Sequence, residues 1–388
     1  MTINMPKGAN EIIQKLQTAG FDAYIVGGCV RDALLGKTPK DWDITTPATP
    51  PEISAIFADQ KQIDIGSHHG TIAVKSFDEY YEITTFRVDG HYTDGRRPDD
   101  VSFTRSLTED LRRRDFTINA MAYNNQSGLV DPFGGEADLC ARLIKCVGDA
   151  KTRFAEDYLR IIRAYRFAAV LNFDLEEKTR IAAIEGRQNL EKIARERVQT
   201  EMAKLLTTSN MNAIKIFLND IGSIIFPGLL GEYNFEILEQ SSPALPQRMA
   251  AILHKSDLDE TKNLLKYWCF DNATAAKTIS IIKHHDRSLP CEKIAIKRFV
   301  SEVGAQTARD VFVFQNASDK IELLDEIISS KEPMDIKDLA LTGQDVMQIL
   351  DMPRGPKIGG HLAKLLEAVI QNPNLNNPKD LTNLLLKA

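Results

Sequence analysis

The chain has 388 residues, of which 43% are hydrophobic and 26% charged, and its net charge is −6. A chain of this length is too long for one compact hydrophobic core, and it predicts two to four domains. No apolar run is long enough to span a membrane, and the acidic balance gives no overall attraction for nucleic acid, so RNA binding would need local basic patches. The five cysteines form no CxxC pair and predict free thiols in a reducing cytoplasm.

The first 145 residues alternate short helices and strands. Helical periodicity predicts helices over residues 11–19 and 30–35. Runs rich in β-branched and aromatic residues predict strands over residues 22–26, 41–45, 71–77 and 80–87. Because strands follow one another without a regular strand–helix–strand rhythm, the pattern favours a mixed sheet over a Rossmann fold.

From about residue 150 the sequence predicts helices almost throughout. The helices include a long one over residues 151–171, another over 196–206 and a third over 344–350. Thr342 and Asp345 resemble a capping box at the start of the third. The predicted fold class is therefore α+β, with an N-terminal mixed sheet followed by an all-helical remainder.

Asp41 and Asp43 alternate along a predicted strand, so their side chains share one face, about 7 Å apart. Two carboxylates on one face repel, and a bound cation reverses that cost. Mg²⁺ prefers hard oxygen ligands and leaves positions open for substrate phosphates, and a pair of such ions could run an in-line phosphoryl displacement. The alternative is a solvated strand end, the commoner meaning of a lone DxD. Glu82 is a third candidate ligand, although it could instead pair with Arg87 or a lysine.

Gly27 and Gly28 lie between a predicted strand and a predicted helix. Backbone N–H groups at such a turn can hold phosphate, and Arg31 adds a guanidinium group for phosphate oxygens. The segment matches neither GxGxxG nor a Walker loop, and a glycine pair alone also fits an ordinary turn. The order strand, glycines, helix and twin-aspartate strand is more specific.

Asp157, Arg160, Arg163 and Arg166 recur every three residues along the long predicted helix. This spacing brings neighbours close together on a helix, in a row that winds slowly around the axis. By itself the pattern favours a solvated face with pairs such as Glu156–Arg160. The apolar residues between the charges instead place part of the row near a core, where clustered arginines usually need an anion.

These segments occur in order with several others, namely GGCVRD, DWDIT, HHGTIAV, RRDFTINAMA, DPFGG and EDYLRIIRAYRFAA. In this combination the chain resembles the class II tRNA nucleotidyltransferases, or CCA-adding enzymes, of the polymerase β-like superfamily that also contains bacterial poly(A) polymerases. The resemblance extends through LTGQDVMQIL and GPKIGGHLAKLLEAVI near the C-terminus. It implies a catalytic head over residues 1–148, then a helical neck over 149–210, a body over 211–330 and a tRNA-binding tail over 331–388.

The resemblance also implies roles for single residues. Gly28, Arg31 and Arg114 match positions that contact the incoming nucleotide, and Asp41 and Asp43 match metal ligands. The neck positions that hold the base and the triphosphate match Asp157, Arg160, Arg163 and Arg166. A charged, turn-rich segment over residues 94–100 matches a loop associated with the final A addition.

The implied reaction adds C, C and A to the 3′ end of tRNA from CTP and ATP without a nucleic acid template. Mg²⁺ is the implied cofactor, and pyrophosphate is released. Three alternatives stay open: a poly(A) polymerase, an enzyme that adds only CC or only A, and a non-catalytic tRNA-binding protein on the same scaffold. The sequence indicates no membrane partner and does not reveal the oligomeric state.

Overall fold

The computed structural model describes residues 2–90, 101–229 and 233–387. The chain divides into two compact units, Met1–Gly231 and Glu232–Ala388. Within the described ranges, no helix is both long and apolar enough to cross a membrane. The predicted loop at residues 94–100 lies outside these ranges.

The described part of the first unit contains a seven-stranded mixed sheet with the order β3-β4-β5-β2-β1-β8-β9. Two further pairs of strands, β6 with β7 and β10 with β11, form separate two-stranded sheets. The strands of the unit are β1 Tyr24–Val26, β2 Ile44–Thr46, β3 Gln62–Gly66, β4 Thr71–Ser76, β5 Glu79–Thr85, β6 Arg87–Asp89, β7 Val101–Phe103, β8 Ala122–Asn124, β9 Gly128–Val130, β10 Leu143–Ile144 and β11 Asp174–Leu175. β2 and β5 are parallel, and the other neighbours in the seven-stranded sheet are antiparallel. The predicted α+β class with a mixed sheet is confirmed.

Helices of the first unit cover one face of the sheet, and those between residues 149 and 210 lie in the range predicted for the neck. They are α1 Lys7–Thr18, α2 Gly28–Leu34, α3 Pro50–Ile56, α4 Leu107–Arg112, α5 Gly135–Cys140, α6 Ala150–Glu156, α7 Leu159–Leu171, α8 Glu177–Gly186, α9 Arg195–Leu206 and α10 Met211–Ile225. The apolar residues Ile12 and Leu16 of α1 are fully buried, as is Val74 of β4. The sheet therefore has one face covered by helices.

The second unit is entirely helical over its described residues. Its helices are α11 Phe235–Gln240, α12 Leu245–Leu253, α13 Leu258–Tyr267, α14 Asn272–His284, α15 Lys293–Val303, α16 Ala305–Phe314, α17 Ser318–Ser330, α18 Gly343–Ile349, α19 Pro356–Gln371 and α20 Pro378–Lys387. The predicted capping box is present, because the Thr342 amide donates to the Asp345 carboxylate at 2.7 Å. Buried apolar side chains between Leu339 and Leu385 form a hydrophobic cluster of their own. The finer division into neck, body and tail stays a prediction.

The sequence-based predictions were wrong in the position of one strand and in the continuity of one helix. β2 begins at Ile44, so Asp41 and Asp43 lie in the extended chain before the strand. The helix predicted over residues 151–171 is two helices, α6 and α7, separated at Asp157 and Tyr158. Asp157 has the extended backbone angles φ −144° and ψ 105°, and its carboxylate accepts the Leu159 amide at 3.0 Å. The break follows because this side chain satisfies an amide at the start of α7.

The DPFGG segment brings α5 close to the short 3₁₀ turn Thr117–Asn119. The Asp131 carboxylate accepts the amides of Gly135 at 2.7 Å and Glu136 at 2.9 Å, which starts the helix. A Cβ on Gly135 would lie 2.2 Å from the Thr117 carbonyl oxygen and 2.9 Å from Cγ of Met121. Glycine is therefore required by close approach of two backbones.

We expect Gly135→Ala to lower the free energy of unfolding by about 1–3 kcal/mol, because the added methyl group overpacks a closed contact. The matched control is Gly359→Ala in α19, where no atom lies within 4 Å of the new Cβ. That change should be neutral or stabilising by up to about 1 kcal/mol. Urea unfolding followed by circular dichroism measures both, and equal midpoints for the two variants would contradict the packing argument.

Candidate active site

Asp41 and Asp43 lie in the extended chain that leads into β2. The carbonyl oxygen of Asp43 accepts a hydrogen bond from the Val26 amide at 3.0 Å, which ties this segment to β1. Both carboxylate side chains are exposed, whereas the next residue, Ile44, is fully buried. Both predicted metal ligands are therefore accessible to solvent immediately before β2.

Glu82 approaches these two carboxylates from β5. In the parallel pairing of β2 with β5, Ile44 lies opposite Ile83, so the preceding residues Asp43 and Glu82 share a face. Burial raises the pKa of Glu82, and the negative charges of Asp43 and Asp41 raise it further. The structure thus brings the three predicted carboxylates into electrostatic contact.

This group of carboxylates fits a divalent cation. Asp43 keeps part of its surface exposed, but the protein atoms packed around its carboxylate remove much of its hydration, and this desolvation raises the pKa of Asp43. Arg114 opposes the rise, and Asp41 adds to it. Hard carboxylate oxygens are the ligands that Mg²⁺ prefers, and a cation relieves their mutual repulsion. In the described residues, no three His, Cys, Asp or Glu side chains are placed to hold a metal ion by themselves. Asp41 and Asp43 therefore suit an ion that takes its other ligands from phosphate and water, and Glu82 as a ligand stays a prediction.

The turn between β1 and α2 depends on Gly27, whose φ is +79°. A Cβ at this position would also lie 3.0 Å from Nη1 of Arg114. The Gly27 amide donates to the Met121 carbonyl oxygen at 3.1 Å, so it is not available to a phosphate. Gly28 begins α2 and stays the predicted phosphate contact of the pair. The turn thus lets the Arg114 guanidinium group approach the main chain beside the carboxylates.

Arg114 is held in place by Asp110 of α4, whose side chain is fully buried. Arg114 Nη2 donates to Asp110 Oδ2 at 3.2 Å, and Arg113 Nη2 donates to Oδ1 at 2.8 Å. Burial alone would raise the pKa of Asp110, but the charges of Arg114 and Arg113 lower it below its usual value. The sequence analysis missed Asp110, and its helical spacing to the two arginines was the available signal.

Arg31 is buried and oriented by two polar neighbours. Its Nη1 donates to Oδ1 of Asn119 at 2.7 Å, and its Nε donates to Oδ1 of Asp32 at 2.9 Å. Asn119 in turn donates through Nδ2 to Oδ1 of Asp115 at 3.0 Å. Asn119 thus fixes the direction of the Arg31 guanidinium group, a role that the sequence analysis did not assign.

Three predicted nucleotide-binding arginines surround the ring of Phe167 on α7. The guanidinium carbon of Arg166 lies 3.8 Å from the ring centroid, and those of Arg31 and Arg163 each lie 5.3 Å from it. These are cation–π contacts. Burial lowers the pKa of Arg166, and the charges of Arg163 and Arg31 act in the same direction. This arginine cluster, comprising Arg31, Arg163 and Arg166, therefore concentrates positive charge of the kind that suits a polyphosphate.

Two buried carboxylates hold the neck arginines of this cluster. Arg163 Nη2 donates to Asp115 Oδ2 at 2.6 Å, and Arg166 Nε lies 2.5 Å from Glu201 Oε2. Burial alone would raise the pKa of Asp115, but the charge of Arg163 and the hydrogen bond from Asn119 lower it to about 2. Asp115 therefore stays ionised, and α7 and α9 are both tied to the site.

Asp157 and Arg160 each have other partners in the structure, and Arg160 pairs with Glu156 on α6. Asp157 Oδ2 accepts a hydrogen bond from Arg197 Nη2 of α9 at 3.0 Å. Arg160 is buried, and its Nη1 and Nη2 donate to the carbonyl oxygens of Arg153 and Arg113 at 3.1 and 3.0 Å. Arg160 thus fastens the neck to the segment that carries Arg114. Arg197 is the partner of Asp157 that the sequence analysis missed.

Family models match most of the chain. The model described as "Poly A polymerase head domain" matches residues 23–145, and the "tRNA nucleotidyltransferase domain 2" model matches residues 246–385. A model described as "Probable RNA and SrmB-binding site of polymerase A" matches residues 172–229. The sheet with its carboxylates thus falls within the first model, and the second unit falls mostly within the second.

Curated relatives match over nearly the whole chain. The chain is 36% identical over 385 residues to a CCA-adding enzyme of Geobacillus sp. (strain WCH70), which covers 95% of this chain and 93% of the relative. It is 38% identical over 372 residues to the CCA-adding enzyme of Lactobacillus delbrueckii subsp. bulgaricus, with 93% of each chain covered.

Solved structures agree with these relatives. The Bacillus stearothermophilus CCA-adding enzyme in complex with CTP is similar with a TM-score of 0.81 and 32% identity, over 99% of this chain and 98% of that chain. The Thermotoga maritima CCA-adding enzyme complexed with tRNA shares the fold with a TM-score of 0.72 and 21% identity, over 97% and 94%. Together with the carboxylates and the arginine cluster around one sheet, these matches show that the chain belongs to the CCA-adding enzymes, a family of tRNA nucleotidyltransferases.

Proposed function

We propose that this chain adds C, C and A to the 3′ end of tRNA from CTP and ATP, with the reaction centred on Asp41 and Asp43. The observation that carries the proposal is the combination of repelling carboxylates, Asp41 and Asp43 just before β2 and Glu82 on β5, with the arginine cluster around Phe167. An RNA-binding module has no use for paired carboxylates in its groove, because they repel the phosphate backbone. The five cysteines are all free thiols, which supports a cytoplasmic location.

The residues divide the work of phosphoryl transfer between them. The 3′-hydroxyl oxygen of the RNA attacks the α-phosphorus of the nucleotide, the bond to the β-phosphate breaks, and pyrophosphate leaves. Enzymes of this family use a divalent metal ion. We take it to be Mg²⁺, which would be held by Asp41 and Asp43, lower the pKa of the hydroxyl and neutralise triphosphate charge. The arginine cluster stabilises the negative charge that develops on the pyrophosphate.

One assay separates this function from its alternatives. A tRNA that ends before CCA is incubated with ATP, CTP, UTP and GTP, singly and together, and its 3′ ends are sequenced. We expect CCA ends with CTP and ATP together. Long A runs would indicate a poly(A) polymerase, growth that stops at CC or requires a CC end would indicate a partial enzyme, and no growth would indicate a binding protein.

Asp41→Ala or Asp43→Ala should lower nucleotide transfer by at least about 10²–10³-fold, the range for loss of one preorganised charge-stabilising group. Binding of tRNA should be unchanged, because the carboxylates organise the metal and not the RNA. The matched control is Asp59→Ala, which removes an exposed carboxylate that pairs only with Lys15 in the described residues. Near-normal turnover in either active-site variant would contradict the assignment.

Base selection is proposed to depend on Asp157 and Arg160, as the resemblance implies. Cytosine and adenine present an amino donor beside a ring-nitrogen acceptor, which an Asp acceptor and an Arg donor complement. Uracil and guanine present the reverse order. Because Arg197 already donates to Asp157 and Arg160 is bonded to main-chain oxygens, Arg197 is a second candidate donor.

We expect Asp157→Ala to reduce the preference for CTP and ATP over UTP and GTP by about 10-fold or more, since an unpaired buried polar group costs about 1–3 kcal/mol. Arg160→Gln and Arg197→Gln are compared as a matched pair on the same truncated tRNA. Lost preference in Arg160→Gln alone supports the implied donor, whereas lost preference in Arg197→Gln alone reassigns the role. A uniform fall in all three variants with the preference intact would remove base selection from these residues.

A further inference from the structure

The uncovered face of the sheet continues beyond the carboxylates toward the sheet edge. Tyr80 and Glu82 are alternate residues of β5 and therefore share this face. Across the antiparallel pairing with β4, Lys75 lies opposite Tyr80 and Ala73 lies opposite Glu82. On β3, Ile63 lies opposite Ala73. A continuous surface thus runs from Glu82 across three strands.

This surface combines an aromatic ring, an aliphatic side chain and two cations. Tyr80 is 48% exposed and Ile63 is 47% exposed. Lys61 precedes β3, and its carbonyl oxygen accepts the Lys75 amide at 2.9 Å, so the two lysines lie side by side. We call Lys61, Ile63, Lys75 and Tyr80 the outer sheet face. Large apolar groups exposed together on a folded domain commonly mark a binding surface.

The opposite side of the same strands already provides the core. Ser76 Oγ donates to Glu11 Oε2 of α1 at 2.7 Å, and Gln62 Nε2 donates to the Phe57 carbonyl oxygen, which follows α3, at 2.7 Å. Ile72 and Val74 of β4 are buried on that side. Packing of the sheet therefore does not require large apolar side chains at Tyr80 and Ile63. Their exposure on this face needs another reason.

The order of strands indicates which substrate this face meets. In an in-line displacement the attacking and leaving oxygens lie on opposite sides of the α-phosphorus. Gly28 and the Arg114 guanidinium group, which suit the triphosphate, lie at the β1 side of the carboxylates. The outer sheet face lies on the other side, beyond β5. The attacking RNA end therefore approaches from the outer sheet face.

The chemistry of the face fits that strand. A single-stranded RNA end offers flat bases that stack on aromatic rings and phosphates that pair with lysines. Stacking tolerates every base, which suits an end whose last nucleotide changes as the reaction proceeds. Tyr80 lies about 7 Å from Glu82 along β5, so a nucleotide stacked on it would adjoin the reacting end.

We propose that the outer sheet face binds the single-stranded 3′ end of the tRNA substrate, with Tyr80 as the stacking platform and Lys61 and Lys75 on its phosphates. This inference rests on the proposed function, and it adds a contact for the RNA rather than for the nucleotide. It identifies residues of the head, outside the metal and triphosphate sites, that contribute to affinity for the RNA end.

The test compares two RNAs in filter binding without nucleotides: a tRNA that ends in CC, and the same tRNA trimmed back to its last base pair. Tyr80→Ala should weaken binding of the longer RNA by about 5- to 150-fold, which corresponds to about 1–3 kcal/mol for one stacked base. Binding of the trimmed RNA should not change. Tyr80→Phe keeps the ring and should behave as the wild type. Lys75→Gln should reduce the salt dependence for the longer RNA by a slope of about 0.7.

Ile63→Ser is paired with the control Ile328→Ser on α17, where the exposed fraction is a similar 41%. Only the Ile63 variant should weaken binding of the longer RNA. Equal losses for both RNAs, or no loss in Tyr80→Ala, would overturn the proposal. A wild-type dimer that Tyr80→Ala dissociates, with RNA binding intact, would instead make the face a contact between copies of this chain.

Failure of the proposed function is distinguishable from failure of this inference. If the wild type extends tRNA normally but Tyr80→Ala binds both RNAs as the wild type does, the function stands and the outer sheet face is wrong. If the wild type transfers no nucleotide but Tyr80→Ala selectively loses the longer RNA, the face stands and the function is wrong.

Discussion

The site depends on the hydrogen bonds that the buried carboxylate of Asp115 accepts. They come from Arg163 of α7 and from Asn119 and the Phe116 amide in the head. A buried charge without such partners would be strongly destabilising, so each contact requires the others. Because Asn119 also holds Arg31, the position of a head arginine is set by the same carboxylate that anchors the neck.

Around this anchor the protein keeps two groups of like charge close together. The carboxylates repel on the uncovered face of the sheet, and the arginine cluster surrounds Phe167. Arg114 lies between them, against the glycine turn, and it acts on the pKa of Asp43. Most of the arginines already have buried acidic partners, so they do not neutralise the carboxylates of the uncovered face. A cation and a triphosphate together would satisfy both groups, which makes the substrate part of the site's electrostatics.

In the proposed arrangement the two substrates meet different parts of the sheet. Its β1 side carries the glycine turn and the arginines, its middle carries the carboxylates, and its β3 side carries the outer sheet face. The chain is acidic overall, with a net charge of −6. Affinity for polyanions is therefore a property of particular surfaces and not of the whole molecule.

The sequence by itself determined the features that depend on near neighbours. The spacing of Asp41 and Asp43, the glycine turn and the capping box of Thr342 and Asp345 all act over a few residues, so their patterns could be recognised without a structure. The ordered motifs were sufficient to indicate the family for the same reason. The predicted strand at Asp41 was displaced because propensity marks a segment more reliably than its ends.

Tertiary structure alone decided the contacts that join distant segments. Arg31 meets Arg163 at the ring of Phe167 although more than a hundred residues separate them, and no local pattern encodes that meeting. The burial of Arg160 depends likewise on carbonyl oxygens that another part of the fold supplies. A side chain's type sets which bonds it can make, but the packing of whole helices against the sheet decides which partners lie within reach.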